Sequence, residues 1–109
     1  MSVDSIKREI ERYKREIDSQ KVKISKYREE MAKVRIRKSR EAIRYTNRLK
    51  GASSTASRHN IRSQKKRDWD VYARDIDREK DKIEKCRNRT SRLRDNIKRC
   101  RERIKRLRK

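Results

Sequence analysis

The most reactive side chains in this chain belong to two cysteines and one histidine. Cys86 and Cys100 are separated by four helical turns, or about 21 Å, whereas a disulfide needs Cα atoms about 6 Å apart. We therefore expect two small buried residues, with pairing to a second chain in an oxidising compartment as the alternative. No other Cys or His lies within ligand spacing of either cysteine, so the sequence predicts no zinc site.

His59 is the only histidine, and Gly51 is the only glycine. One residue of each type cannot form a Ser-His-Asp arrangement, a glycine-rich phosphate loop or a metal motif. We expect His59 to be a solvated residue of a turn. The sequence predicts that the protein is not an enzyme and needs no cofactor.

Positive charge is abundant: 51% of the 109 residues are charged, and the formal net charge is +22. Residues 33–67 carry 13 basic and 1 acidic side chains, and residues 85–109 carry 13 and 2. Such segments can hold nucleic-acid phosphates without reading a base sequence, or anionic lipid headgroups. The candidate polyanion-binding residues are Arg35, Arg37, Lys38, Arg40, Arg92, Arg94, Lys98, Arg99 and Arg103.

Apolar residues recur at alternating steps of three and four, which is a heptad pattern with few polar interruptions. In the first half the stripe consists of Val3, Ile6, Ile10, Tyr13, Ile17, Gln20, Ile24, Tyr27, Met31 and Val34. In the second half it consists of Trp69, Tyr72, Ile76, Glu79, Ile83, Cys86, Thr90, Leu93, Ile97, Cys100, Ile104 and Leu107. Nothing alternates with period two, and there is no proline. The pattern predicts two long amphipathic helices, about 3–50 and 60–109.

Two features interrupt the stripes. After Val34 the apolar residues fit no single heptad frame, so we expect a stutter or a local change of packing partner. A turn is predicted at about 51–59, where Gly51 lies at a helix C-cap position. The residues that can supply an N-cap oxygen to the next helix are Ser53, Ser54, Thr55 and Ser57.

The charge distribution favours folding back at this turn. Residues 68–84 carry 4 basic and 7 acidic side chains, and an antiparallel arrangement places them near the basic segment 33–50. Charges that flank a seam choose orientation more than they add stability. We predict an all-α fold, a single domain over 1–109 made of two long helices in an antiparallel coiled-coil hairpin with a central LxG turn.

Leu49-Lys50-Gly51 at the centre of a chain of about a hundred residues resembles the bend element of the WXG100 superfamily in its LXG form. The segment WDVYARDIDREKDKIEKC, residues 69–86, is similar to the second helix of YwqH-like small proteins, which accompany LXG toxins of the type VII secretion system. The matching residues are Trp69, Tyr72, Ile76, Asp77, Asp81, Ile83 and Glu84. The export tag Tyr-x-x-x-Asp/Glu is not found after Tyr27 or Tyr72, so a partner would have to supply that signal.

The resemblance implies a chaperone or export adaptor that pairs with helices of an LXG toxin or of a second small helical protein, in a homo- or hetero-oligomer. An acidic partner would explain the charge. The residues expected to contact it are Tyr13, Ile17, Ile24, Tyr27, Trp69, Tyr72, Ile76, Ile83, Leu93 and Ile97, beside the turn motif Leu49 and Gly51.

Two other functions stay open. One is a basic coiled-coil protein that binds DNA or RNA through its phosphates, and the other is a structural coiled-coil protein without a ligand. No run of about 18 apolar residues and no apolar leader are found. We therefore expect no membrane span, and a cytoplasmic location or export without a cleaved signal peptide.

Overall fold

A computed structural model describes residues 2–109 and contains two α-helices, α1 (Val3–Gly51) and α2 (Thr55–Leu107). Segments of the two helices pair antiparallel, as shown by contacts from Glu16 to Arg89 and from Tyr45 to Asp68. No strand occurs among residues 2–109. This confirms the predicted all-α helical hairpin.

Both helices begin at a serine cap. The Ser2 hydroxyl accepts a hydrogen bond from the Ser5 amide at 3.2 Å, and the Ser54 hydroxyl accepts one from the Ser57 amide at 3.1 Å. A serine three residues before the bonded amide satisfies a donor that has no partner within the helix. Because Ser54 takes this position, α2 begins at Thr55, five residues before the expected start at 60.

Gly51 is the last residue of α1 and has no positive φ, so it does not end the helix in the left-handed conformation that favours glycine. The Ala52 amide donates to the Leu49 carbonyl at 3.3 Å and closes the last turn. The connection between the helices is therefore only residues 52–54, shorter than the expected 51–59.

Contacts group the chain into two compact units. Unit 1 contains α1 up to Lys26 together with Lys82–Lys109, and unit 2 contains Tyr27–Asp81 with the connection. Each unit therefore pairs one segment of α1 with one segment of α2, and each has its own buried residues.

The core of unit 1 is aliphatic and follows the predicted stripe. Leu93 is fully buried, and the core consists of Ile6, Ile10, Ile17, Leu93, Ile97, Cys100 and Ile104. Val3 and Tyr13 pack against it. Thr90 is also buried, and its hydroxyl donates to the Cys86 carbonyl at 2.9 Å, which satisfies its donor within the helix.

The core of unit 2 is richer in aromatic residues. Met31, Val34 and Tyr45 are buried. The Tyr45 and Trp69 rings meet edge to face with centroids 5.9 Å apart, and Trp69 meets Tyr72 in the same way at 5.8 Å. Such pairs add about 0.5–1.5 kcal/mol to the burial of the rings.

The heptad register of α1 continues past Val34 without the expected stutter as far as Tyr45. Lys38 and Glu41, both half-buried, occupy the seam positions between these two buried residues. Ile36 and Ile43 lie outside the seam and are exposed. The apparent drift in the sequence therefore arises because two charged residues occupy seam positions while two isoleucines point away from them.

Candidate interaction surfaces

The ten residues expected to contact a partner helix all lie in the hairpin seam. Ile17, Ile83, Leu93 and Ile97 are buried within unit 1. The other six, Tyr13, Ile24, Tyr27, Trp69, Tyr72 and Ile76, are half-buried. The four buried residues can reach a partner only if the helices separate, whereas the half-buried ones present an edge at the surface.

Tyr45 anchors unit 2 through a polar contact in an aromatic setting. Its hydroxyl donates a hydrogen bond to the half-buried carboxylate of Asp68 across the hairpin. This hydrogen bond, with burial and the negative charge of Asp68, raises the pKa of Tyr45 to about 12. Burial is also the main cause that raises the pKa of Tyr72. The Tyr45 hydroxyl therefore joins the two helices within unit 2 and does not face an open site.

Cations cover the aromatic rings of unit 2. The Lys38 and Lys65 ammonium nitrogens lie 5.6 and 5.2 Å from the centroid of Trp69. The Arg48 guanidinium lies 5.3 Å from the centroid of Tyr45. This arrangement stabilises the packed rings and leaves them unavailable as a stacking platform for bases.

A second stripe follows the outer face of α1 within unit 2. Ala32, Ile36, Ser39, Ile43 and Thr46 are all exposed. Their steps of four, three, four and three residues place them on one side of the helix. At about 100° per residue, Ile36 and Ile43 lie roughly opposite Tyr45, which faces α2. We call these five residues the outer stripe.

The nine candidate polyanion-binding residues divide between the units. Arg35, Arg37, Lys38 and Arg40 lie in unit 2, and Arg92, Arg94, Lys98, Arg99 and Arg103 lie in unit 1. All are exposed except Lys38 and Arg103, which are half-buried. Arg103 makes an ion pair with Glu9 at 3.1 Å, so its charge is already used within the hairpin.

Unit 1 also has a basic groove that the sequence did not single out. It has a volume of about 610 Å³ and an apolar floor of Ile10 and Ile104. Its rim consists of Lys7, Glu11, Lys14, Arg101, Lys105 and Arg108. The signal in the sequence is two sets of residues spaced i, i+4, i+7, one in α1 and one that runs over the C-terminal end of α2, but only the register of the hairpin brings the sets together. We call it the five-cation groove.

Both cysteines are free and buried in unit 1. The Cys100 thiol donates to a Glu9 carboxylate oxygen at 3.7 Å, and Arg103 donates to the Cys100 sulfur at 3.4 Å. These contacts tie the thiol into the interhelical ion pair, and its burial means that pairing with a second chain would require the helices to separate.

The remaining sequence features lie at the surface. Leu49 is half-buried, while Gly51 and His59 are exposed. A Cβ placed at Gly51 would have no neighbouring atom within 4 Å, so neither space nor backbone conformation requires glycine there. No group of three or more potential metal ligands is found among residues 2–109. In the same part of the chain, neither helix is apolar enough to cross a bilayer.

Comparison of the chain with protein-family models, with curated proteins and with solved structures gives no significant match.

Proposed function

We propose that this protein is a helical-hairpin interaction protein that binds helices of a partner through its outer surface. The observation that carries this proposal is the set of aliphatic side chains left exposed after the hairpin has closed its own seam. On the outer face of α1, Ile36 and Ile43 lie one heptad apart in the outer stripe. Two large aliphatic side chains on one helix face leave apolar surface for a partner, whereas Val22, Val71 and Leu107 are exposed singly, which is ordinary in folded proteins.

The hairpin acts as a preformed scaffold in this function. Because Leu93, Ile97 and the other core residues already pack within the chain, a partner does not have to order them on binding, which lowers the entropic cost of association. The half-buried seam residues Tyr13, Tyr27, Trp69 and Tyr72 stay candidates for additional contact along the seam edges.

The resemblance of Leu49-Lys50-Gly51 and of residues 69–86 to LXG-associated proteins supports a specific form of this function. In that form the protein is a chaperone or export adaptor for an LXG toxin or a second small helical protein. It would meet its partner in the cytoplasm, and the partner would carry the export signal.

Affinity purification of the full chain from its native host, followed by mass spectrometry, tests the proposal. We expect a helical protein in roughly stoichiometric amount that stays bound after nuclease treatment. A genomic neighbour that encodes an LXG toxin, recovered in the same complex, would support the secretion form. Recovery of nucleic acid alone, with no protein left after nuclease treatment, would overturn it.

The five-cation groove favours a second candidate function, which is binding of nucleic acid through phosphates. Lys7, Lys14, Arg101, Lys105 and Arg108 are exposed around it, and Glu11, 3.5 Å from Lys14, is its one acidic rim residue. Several cations along one groove neutralise phosphates and give binding that weakens steeply with salt.

Fluorescence anisotropy with duplex DNA at several salt concentrations tests this second function. Micromolar binding at about 150 mM salt, with a steep salt slope, supports it. The variant Lys105→Gln/Arg108→Gln should weaken binding and reduce the slope, by about one unit for each phosphate that the protein no longer neutralises. The charge-matched variant Arg74→Gln/Lys80→Gln, at exposed residues of the acidic segment 68–84 in unit 2, should do neither. Absence of binding at that salt concentration excludes the function.

A further inference from the structure

We infer that the outer stripe of α1 is a second coiled-coil seam, and that its occupant is an acidic amphipathic helix of a partner protein. This inference rests on the proposed interaction function and gives it a site. The stripe is formed by Ala32, Ile36, Ser39, Ile43 and Thr46, which all lie within unit 2.

The spacing of the stripe is that of a helix-packing surface. Steps of four, three, four and three residues cover two heptads, about 21 Å of helix, the span over which docked helices place their i, i+3/i+4 and i+7 anchors. Ile36 and Ile43 are 53% and 65% exposed. Small residues separate them, so large side chains alternate with holes into which a partner's side chains can fit.

The two hydroxyl groups in the stripe do not oppose burial. Ser39 donates to the Arg35 carbonyl at 3.1 Å, and Thr46 donates to the Ala42 carbonyl at 2.9 Å. Both donors are therefore already satisfied within α1, and covering them leaves no donor without a partner. The stripe is less polar in the structure than its residue types indicate.

The charges beside the stripe determine which sign of charge a partner helix must carry. Arg40 lies on one side of it and Arg35 on the other, and neither makes an ion pair within residues 2–109. Residues 33–67 contain 13 basic side chains and only Glu41 as an acidic one. Charges that flank a seam determine which helices can pair, so acidic residues at the partner's flanking positions complement this surface.

The same charges disfavour a second copy of the chain that offers its own outer stripe, because two such stripes would place like charges against each other along the seam. A membrane surface fits less well. Helices that lie on bilayers carry Trp, Phe or Leu on their apolar face, whereas this stripe has only two large residues and no aromatic one. Nucleic acid would use the arginines but not the isoleucines.

Titration with a designed peptide tests the inference. The probe is a fluorescein-labelled acidic helix of four heptads, with Ile and Leu at the seam positions and Glu at the flanking ones. A peptide of equal composition and charge, with the apolar residues scrambled off the seam, is its control. We expect micromolar binding of the probe by the full chain, at least about 10-fold weaker binding of the scrambled peptide, and weakening with salt.

Variants of the protein locate the contact. Ile36→Gln/Ile43→Gln changes no charge and should weaken binding about 10-fold or more, since it removes the two large anchors. Val71→Gln, which alters an exposed aliphatic residue of α2 in the same unit, should change it less than about 2-fold. Circular dichroism and thermal melting show whether each variant keeps the helical fold.

Three results would overturn the inference. The first is equal binding of the probe and the scrambled peptide, and the second is equal binding of the probe by wild type and by the double isoleucine variant. The third is that the protein does not bind the probe but binds anionic vesicles in a way that depends on Ile36 and Ile43. Failure of the proposed function is a separate result. If purification from the host yields a helical partner that the double variant also retains, the function stands and this site is wrong. If no protein partner is recovered at all, both fail.

Discussion

Among single residues, Tyr45 connects the two helices of unit 2 most directly. The residue is 2% exposed, its ring packs edge to face on Trp69, and its hydroxyl donates to Asp68. Replacing it with Phe keeps the ring but leaves the half-buried carboxylate without that donor. We expect Tyr45→Phe to lower the free energy of unfolding by about 1–2 kcal/mol, measured by urea denaturation followed by circular dichroism. Tyr13→Phe, at the edge of unit 1, is the control and should have a smaller effect.

The raised pKa of Tyr45 also predicts a dependence on alkaline pH. The folded protein holds this proton up to a pKa of about 12, whereas the unfolded chain releases it near 10. The unfolded state therefore binds fewer protons between these values, so the contribution is complete below pH 10 and lost as the pH rises to about 12.

Alkaline pH affects the whole chain, so the test is the comparison between wild type and a variant that lacks the Tyr45 hydroxyl. Wild type should lose more stability than Tyr45→Phe between pH 10 and 12, and tyrosinate absorbance of the variant should have one late-titrating group fewer than that of wild type. Parallel pH curves for the two proteins would contradict the assigned hydrogen bond.

At Gly51 the structure differs from what the sequence pattern predicted. It adopts helical backbone geometry, and an added Cβ would meet no atom within 4 Å. Glycine within a helix costs up to about 1 kcal/mol relative to alanine because it loses more backbone freedom on folding. We expect Gly51→Ala to keep the fold and to be neutral or to raise the free energy of unfolding by as much as about 0.5–1 kcal/mol. A clear loss of stability in thermal denaturation would mean that this position needs glycine.

At the level of the helices, the turn depends on a cap rather than on glycine. The Ser54 hydroxyl bonds the Ser57 amide at the start of α2. We expect Ser54→Ala to lower the free energy of unfolding by about 1 kcal/mol. Ser53→Ala, at the neighbouring exposed residue outside the cap, should leave it within about 0.5 kcal/mol of wild type. Equal effects of the two substitutions in denaturant titrations would show that the cap does not determine where α2 begins.

The helices also show how far a periodic pattern predicts a fold. Every residue assigned to the two stripes is buried or half-buried except Leu107, because a long heptad repeat leaves only one face to bury. The pattern failed between Val34 and Tyr45, where Lys38 and Glu41 hold seam positions. Lys38 can do so because its ammonium lies over the Trp69 ring, and the aliphatic stem of a lysine can cover apolar surface while its charged end stays in water.

The candidate sites were less predictable than the helices. Cations spaced along two helices form a groove only when the register brings them side by side, as it does for Lys7 and Lys14 with Arg101 and Lys105. Likewise, Ile36 and Ile43 are recognised as an outward face only after the seam has been traced through charged residues. Residue types were visible in the sequence, but which residues become neighbours depends on long-range packing.

For the whole molecule, the dominant feature is the excess of 39 basic over 17 acidic side chains. Mutual repulsion of the excess positive charge opposes the folded state. Interhelical ion pairs act in the other direction, as with Glu16 and Arg89 at 2.6 Å and Glu9 and Arg103 at 3.1 Å. Each partly exposed pair contributes only about 0–1 kcal/mol, so repulsion should dominate.

Salt should therefore stabilise this protein. Raising the ionic strength from about 0.01 to 0.15 M shortens the screening length from about 30 to 8 Å and weakens repulsion between distant charges more than attraction within close pairs. We expect Tm, followed by circular dichroism, to rise by about 4–8 °C or more, which corresponds to about 1 kcal/mol for a chain of this size. Glu16→Gln removes the attraction to Arg89 and raises the net positive charge by one, so it should lower Tm most at the lowest salt. A Tm that falls as salt is added would show that the ion pairs, and not the excess positive charge, control the stability of the hairpin.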